Sequence, residues 1–316
     1  MGPSAVTRVF TVATEHLDPR SIDLDLRAST DVAALLIDSQ REAVHTLSEC
    51  IAPLAAAIDA AVARLRATDG RLIYAGAGTS GRLAVQDGVE LWPTYSWPMD
   101  RLGFVLAGGL EAMVGSVEGA EDDTLAAQTA MAALEPGGDD VVIGVAASGS
   151  TPFTVEAVRW ARAAGALAIG LSSNDTAPLL QGVDHPVCLR SGPEMVAGST
   201  RLAAGTLQKI ALNTLSTGIM VRLGRVYGGR MVSMRSSNQK LRRRAAAMVA
   251  GLCGVTAEEG LQVVERAEGD IRLASLLALG AGEAAARDAL LATDGNLREA
   301  LANLRRDGLL VRDFRV

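Results

Sequence analysis

RLIYAGAGTSGRL (residues 71–83) is the stretch on which the fold turns. An apolar run ends abruptly in Gly76, Gly78 and Gly81, with Thr79 and Ser80 among them. A strand buried on both faces reads as a continuous apolar run. When such a strand feeds a helix through small residues, it opens a βα unit of a parallel sheet. The bare N–H groups at the start of that helix also suit an anion. GAGTSG matches the glycine fingerprint of dinucleotide folds, but the acid expected about 20 residues on is out of place. Asp100 lies in SWPMDR, before a strand rather than at the end of one. A P-loop would need Gly-Lys-Ser/Thr, and no lysine is present. The segment is therefore either an ordinary tight turn or a phosphate cradle made by Gly78, Thr79 and Ser80.

Working outward, four more strand-like runs follow: LGFVLAG (102–108), DVVIGVAA (140–147), ALAIGLSS (166–173) and HPVCLRS (185–191). Each lies between helical stretches. The alternation predicts an α/β fold, a doubly wound parallel five-stranded sheet with flanking helices. The run at 140–147 leads into Ser148, Gly149, Ser150 and Thr151, with Pro152 suited to a first helical turn. Two hydroxyl-rich corners at the carboxyl ends of one parallel sheet can wrap a single phosphate without lysine.

Upstream, residues 1–30 read as an irregular arm. STDVAALLIDSQ (29–40) starts a helix with Ser29 or Thr30 as N-cap, and Pro53 is a possible break in the helical pattern. The main domain spans 31–245. The last part, 250–316, reads as a small bundle of three helices of the ubiquitin-associated kind, or as a cover on the main domain.

Composition narrows the function. The chain has 316 residues, 49% hydrophobic and 21% charged, with net charge −6. That suits a large core and leaves no basic stripe for nucleic acid. Lys240, Arg242, Arg243 and Arg244 read as a solvated helix end. Three scattered cysteines fit a reducing cytoplasm, and three scattered histidines make a metal site unexpected. MGPSAVTRVF shows no secretion signal, and the apolar run at 210–221 is too short to span a bilayer.

Two carboxylates stand out. A helix starting near Leu110 would align Leu110, Met113, Val114 and Val117 on one stripe and return Glu121 to it, with Glu118 at its margin. Burial there would raise the pKa of Glu121 and suit it to general acid–base work. If the helix ends before 121, Glu121 is left in solvent. Glu90, in DGVELWPTYS (87–96), shares a helix face with Leu83. Two acids near a phosphate turn suggest proton transfer on a sugar phosphate.

TEHLDPRSIDLD (14–25), YAGAGTSGRL (74–83), SVEGAED (116–122), GVAASGSTP (144–152) and the long segment 191–234 together resemble the N-acetylmuramic acid 6-phosphate etherases, a branch of the sugar isomerase (SIS) fold family. The resemblance runs from about Thr14 to the C-terminus. It implies a SIS domain and Glu90 and Glu121 as the two catalytic acids. It also implies Glu194, Ser199 and Thr200, in GPEMVAGSTRL (192–202), as further pocket residues, supplied by the second subunit of a homodimer. The implied reaction cleaves the C3 lactyl ether of N-acetylmuramic acid 6-phosphate to N-acetylglucosamine 6-phosphate and D-lactate, with no metal or organic cofactor. Three departures stand out. DGVELWPT replaces the usual Asp-Ala-Ser-Glu-Cys-Pro-Pro-Thr, Ser150 stands where an arginine is usual, and Ala203 stands where a lysine is usual. They leave open a related 3-O-substituted sugar phosphate as substrate, or a non-catalytic sensor like the glucokinase regulatory protein. An aldose–ketose isomerase is disfavoured by the segment 191–234, and a transcription regulator by the lack of a preceding helix-turn-helix.

Overall fold

The computed structural model describes residues 13–66, 68–236 and 238–311. MGPSAVTRVF and the start of the arm lie outside the described residues. The chain forms two compact units, one of residues up to 88 with 100–215, the other of 89–99 with 216–316.

The first unit holds the sheet. Helices α1 (Ser29–His45) and α2 (Ile51–Leu65) precede β1 (Leu72–Gly76). Then come α3 (Gly78–Val89), α4 (Leu91–Tyr95, in the second unit), β2 (Leu102–Leu106), α5 (Thr124–Leu134), β3 (Val141–Val145), α6 (Pro152–Ala163), β4 (Leu167–Ser172), α7 (Pro178–Gln181), β5 (His185–Cys188) and α8 (Ala203–Arg222, whose residues from 216 on belong to the second unit). All strands are parallel in the order β2-β1-β3-β4-β5. The expected five-stranded doubly wound sheet is therefore present. β1, β3 and β4 are buried along their whole length, the physical reason for their unbroken apolar sequences. On one face Ile73, Ala75, Val142 and Ala168 pack with Ala127 and Met131 of α5 and with Phe153, Ala157 and Ala161 of α6. On the other, Tyr74 stacks on Phe104 at 5.9 Å, and α2 lies against β3, β4 and β5.

Helix boundaries depart from the sequence reading in physical detail. α1 begins at Ser29 itself, with Ala28 as an N-cap that has no side-chain bond. The break expected at Pro53 comes earlier, in a 3-10 turn at Thr46–Cys50, and Pro53 sits in the first turn of α2, where no amide is needed. Ser29–Leu65 is long and apolar enough to cross a bilayer by length and composition, yet α2 buries Leu54, Ala57, Ala61 and Leu65. No helix starts near Leu110 and runs to Glu121. A 3-10 turn covers Leu110–Met113 and a second covers Ala120–Asp122. Gly108 and Gly109 before the first turn and Gly119 before the second have positive φ and break any continuous helix.

The second unit is helical, with α9 (Gln239–Cys253), α10 (Ala257–Arg266), α11 (Ile271–Ala278), α12 (Glu283–Leu291) and α13 (Leu297–Arg306); among the described residues of 250–316, four helices follow the end of α9 where three were expected. Val249, Leu252, Ile271, Leu276, Leu297 and Leu304 form its core. Asn238, Asp270 and Asn296 cap three of these helices, and Thr256 with Glu259 makes a capping box at a fourth.

Candidate active site

The carboxyl ends of β1 and β3 lie side by side, with Gly76 in register with Val145. The sheet order reverses here, since β2 is added on one side of β1 and β3 on the other. That is the crevice where open α/β sheets bind ligands.

The turn after β1 depends on its glycines. A Cβ on Gly76 would stand 2.7 Å from the Cα of Gly81, and one on Gly81 would stand 2.8 Å from the carbonyl carbon of Gly76. The strand end and the first helical turn thus cross backbone to backbone. Gly78 has φ +52°, and nothing lies within 4 Å of where its Cβ would be, so bare backbone faces open space. The first amides of α3 lack intrahelical acceptors, as at any helix start, and can serve an anion.

A cavity of about 480 Å³ opens beside this turn, within the range of small-ligand sites. Gly78, Thr79, Arg82, Glu118 and Glu121 line it. Glu121 reaches it from the Ala120–Asp122 turn and is exposed, as are Leu110 and Val114 at 76% and 96%. Glu121 therefore does not stand on a buried apolar stripe as expected. The chain brings Glu121 to the cavity by a glycine-rich loop. Ser80 is buried and does not line the cavity.

The turn after β3 is built similarly. Gly149 has φ +69°, and a Cβ there would lie 2.3 Å from Ala177 Cβ and 2.4 Å from Ser172 Oγ. The Ser150 N–H and hydroxyl both donate to Ser148 Oγ at 3.2 Å. Pro152 opens α6 with Thr151 as its N-cap. Ser148, Gly149, Ser150 and Thr151 stand on the strand next to β1 but do not line the cavity.

Glu194 is fully buried. Its two carboxylate oxygens accept the N–H groups of Ala203 and Ala204, each at 2.9 Å, so it caps the start of α8. Burial pushes its pKa up, and the two amides oppose that. The side chain is thus committed to the helix end. Ser199 and Thr200 are half-buried in the preceding loop. Thr200 accepts from the Gly205 N–H, and the space over Gly205 is bounded by Thr200 O and Thr79 Cγ2, which brings this loop beside the β1 turn. Ala203 is buried at 2% exposure. Glu90 follows the last residue of α3, is exposed, and belongs to the second unit.

Two residues escape the sequence reasoning. Arg82 lines the cavity and stands one turn after Thr79, so helical spacing could have found it. Asp87 is buried and accepts from the Tyr74 hydroxyl at 3.0 Å and from Asn213 Nδ2 at 2.6 Å. It ties α3 to β1 and α8, and a single carboxylate in a helix gives no sequence signal for that. Burial, and then the Asp87 charge, raise the Tyr74 pKa well above its ordinary value.

Fold and cavity define a class: a doubly wound sheet of the sugar isomerase type with a glycine- and hydroxyl-lined crevice at its switch point. The family model for the glucokinase regulatory protein N-terminal SIS domain matches residues 53–162, which include both corners. The chain belongs to the N-acetylmuramic acid 6-phosphate etherase family. It is 48% identical over 291 residues to the etherase of Deinococcus radiodurans, covering 91% of this chain and 94% of that one. It is 45% identical to that of Rubrobacter xylanophilus, over 95% and 99% of the two chains. Among solved structures, a phosphoheptose isomerase from Francisella tularensis matches 62% of this chain and all of that one, with TM-score 0.47 and 19% identity.

Proposed function

We propose that this protein cleaves the C3 D-lactyl ether of N-acetylmuramic acid 6-phosphate, giving N-acetylglucosamine 6-phosphate and D-lactate. The observation that carries the reading is one cavity lined by both the phosphate turn and Glu121, in a chain 48% identical to an etherase. An unactivated ether is hard to break. Opening the sugar ring puts an aldehyde at C1 and makes the C2 proton removable. One glutamate takes that proton. The C3–O bond then breaks, and the departing lactate oxygen receives a proton from the second glutamate. Water adds at C3 of the unsaturated aldehyde, a proton returns to C2, and the ring recloses. Glu90 is assigned to C2 and Glu121 to the C3 oxygen. Each acid–base role contributes about 10²–10⁴-fold. Gly78 and Thr79, which line the cavity, begin the phosphate grip, the corner of Ser148, Gly149, Ser150 and Thr151 on the neighbouring strand completes it, and Ser199 and Thr200 stand beside Thr79, while buried Ser80 holds the turn. The active form is a cytoplasmic homodimer.

The test supplies purified protein with N-acetylmuramic acid 6-phosphate and measures D-lactate. Stoichiometric lactate and N-acetylglucosamine 6-phosphate are expected, and folded protein that releases none rejects the reading. Ser150 and Ala203, standing where cations are usual, favour a second reading as a sugar-phosphate sensor. Tight binding of a sugar phosphate without turnover, unchanged in Glu121→Gln, would support it.

A further inference from the structure

The loop that brings Glu121 to the cavity has apolar anchors at its two ends, Ala112 and Met113 at one and Ala120, against the core under α5 and α6, at the other. Ala112 and Met113 pack on Val85 and Leu106, while Leu110 and Val114 stand in solvent. Its polar anchor is Arg82. The Nε of Arg82 donates to the carbonyl of Ala112 at 2.7 Å, and one terminal nitrogen donates to Gly115 at 2.5 Å. The other terminal nitrogen has no partner among the described residues, and the side chain lines the same cavity as Thr79 and Glu121. The cavity's lining acids are Glu118 and Glu121, and Arg82 is its lining cation.

We infer that Arg82 is the positioning and specificity residue of this cavity, clamping the loop of Glu121 and offering its free guanidinium N–H groups to the lactyl carboxylate of the substrate. The identity of that carboxylate rests on the proposed reaction. Two anionic groups distinguish this substrate, the phosphate and the lactyl carboxylate. The phosphate has two hydroxyl-rich corners and the start of α3 to meet it. The carboxylate must approach Glu121, because it hangs from the C3 oxygen that Glu121 protonates, and two lining acids would repel it without a cation. A planar guanidinium serves carboxylates better than a point charge does. It also holds two carbonyls of one loop from two nitrogens of one rigid plane and keeps a third nitrogen for the ligand, a fixed spacing that a lysine ammonium does not have.

The experiment has two arms. Amide hydrogen exchange across 110–121 needs no turnover. Arg82→Gln and Arg82→Lys should each speed exchange there at least tenfold, with the core strands unchanged, and an unchanged rate overturns the clamp. Calorimetric binding, in a Glu121→Gln background that does not consume substrate, compares N-acetylmuramic acid 6-phosphate with N-acetylglucosamine 6-phosphate, which lacks the carboxylate. Arg82→Gln should weaken the first at least tenfold and the second less than twofold, and Arg82→Lys should restore part of the difference. Equal weakening of both assigns the guanidinium to phosphate and overturns the carboxylate role. If wild-type protein releases no lactate yet shows this selective loss, the reaction fails while the carboxylate site stands.

Discussion

At the scale of single residues, Glu121 shows how chemistry and placement separate. A helical stripe leads to it from the sequence, through a helix that the chain does not form. Glycines 108, 109 and 119, all at positive φ, turn the segment back over the β1 turn instead. Periodicity reasoning assumes regular backbone, so an acid delivered by an irregular loop lies beyond it. Because Glu121 is exposed and makes no fold contact comparable to that of Asp87, its removal should cost chemistry and little stability. Glu121→Gln is expected to lower kcat by about 10²–10⁴-fold, with a melting temperature within a degree or two of wild type. Lactate release and calorimetry check the two halves. A kcat within threefold of wild type removes Glu121 from the mechanism.

At the scale of elements, the strands were legible and their ends more so. Continuous apolar sequence reports burial on both faces directly, and glycine clusters report close backbone approach. Gly149 carries this furthest. Its φ of +69° and the 2.3 Å separation from Ala177 Cβ leave no room for a methyl group. Gly149→Ala should destabilise by about 1–3 kcal/mol and weaken sugar-phosphate binding, as read by urea unfolding and titration. Long-range ties between elements were not legible. Arg71, at the start of β1, donates through its backbone N–H and its guanidinium to Asp140, beside β3. Burial opposes ionisation of Asp140, but the hydrogen bonds from Arg71 and Gly137 outweigh it and hold its pKa below the usual carboxylate range. A lowered folded-state pKa gives stability that is present above the unfolded value, about 3.9, and is lost as pH falls through the folded value. Asp140→Asn should cost about 3 kcal/mol near neutrality. That is the low end for a broken buried pair, since Arg71 keeps 26% of its side-chain surface. The gap from wild type should stay constant from pH 7 to about 5 and narrow below about 4. A gap that widens on acidification contradicts the sign.

At the scale of the whole molecule, the parallel sheet was legible, while the number of C-terminal helices was not. Short helices joined by Gly-centred turns share one core, so the sequence shows the breaks without showing which pieces pack together. α1 poses a different problem. Only Ser39 and Ala43 of its 17 residues are buried. Ile37 is 58% exposed, and Ile22 and Leu26 of the preceding arm are exposed at 69% and 84%. Most of a helix's stability comes from tertiary packing of its apolar face, and exposed apolar side chains on a helix with so little packing suit an association surface. A second copy of the chain is the occupant that the proposed homodimer supplies, and its symmetric contact would bury the same residues twice. Sedimentation at micromolar concentration should give about twice the 32.7 kDa chain mass. Ile37→Glu, exposed in a single chain, should leave the fold intact by circular dichroism and shift the protein to monomer. A wild-type monomer, or a dimer indifferent to Ile37→Glu, assigns the exposed face of α1 no role in association.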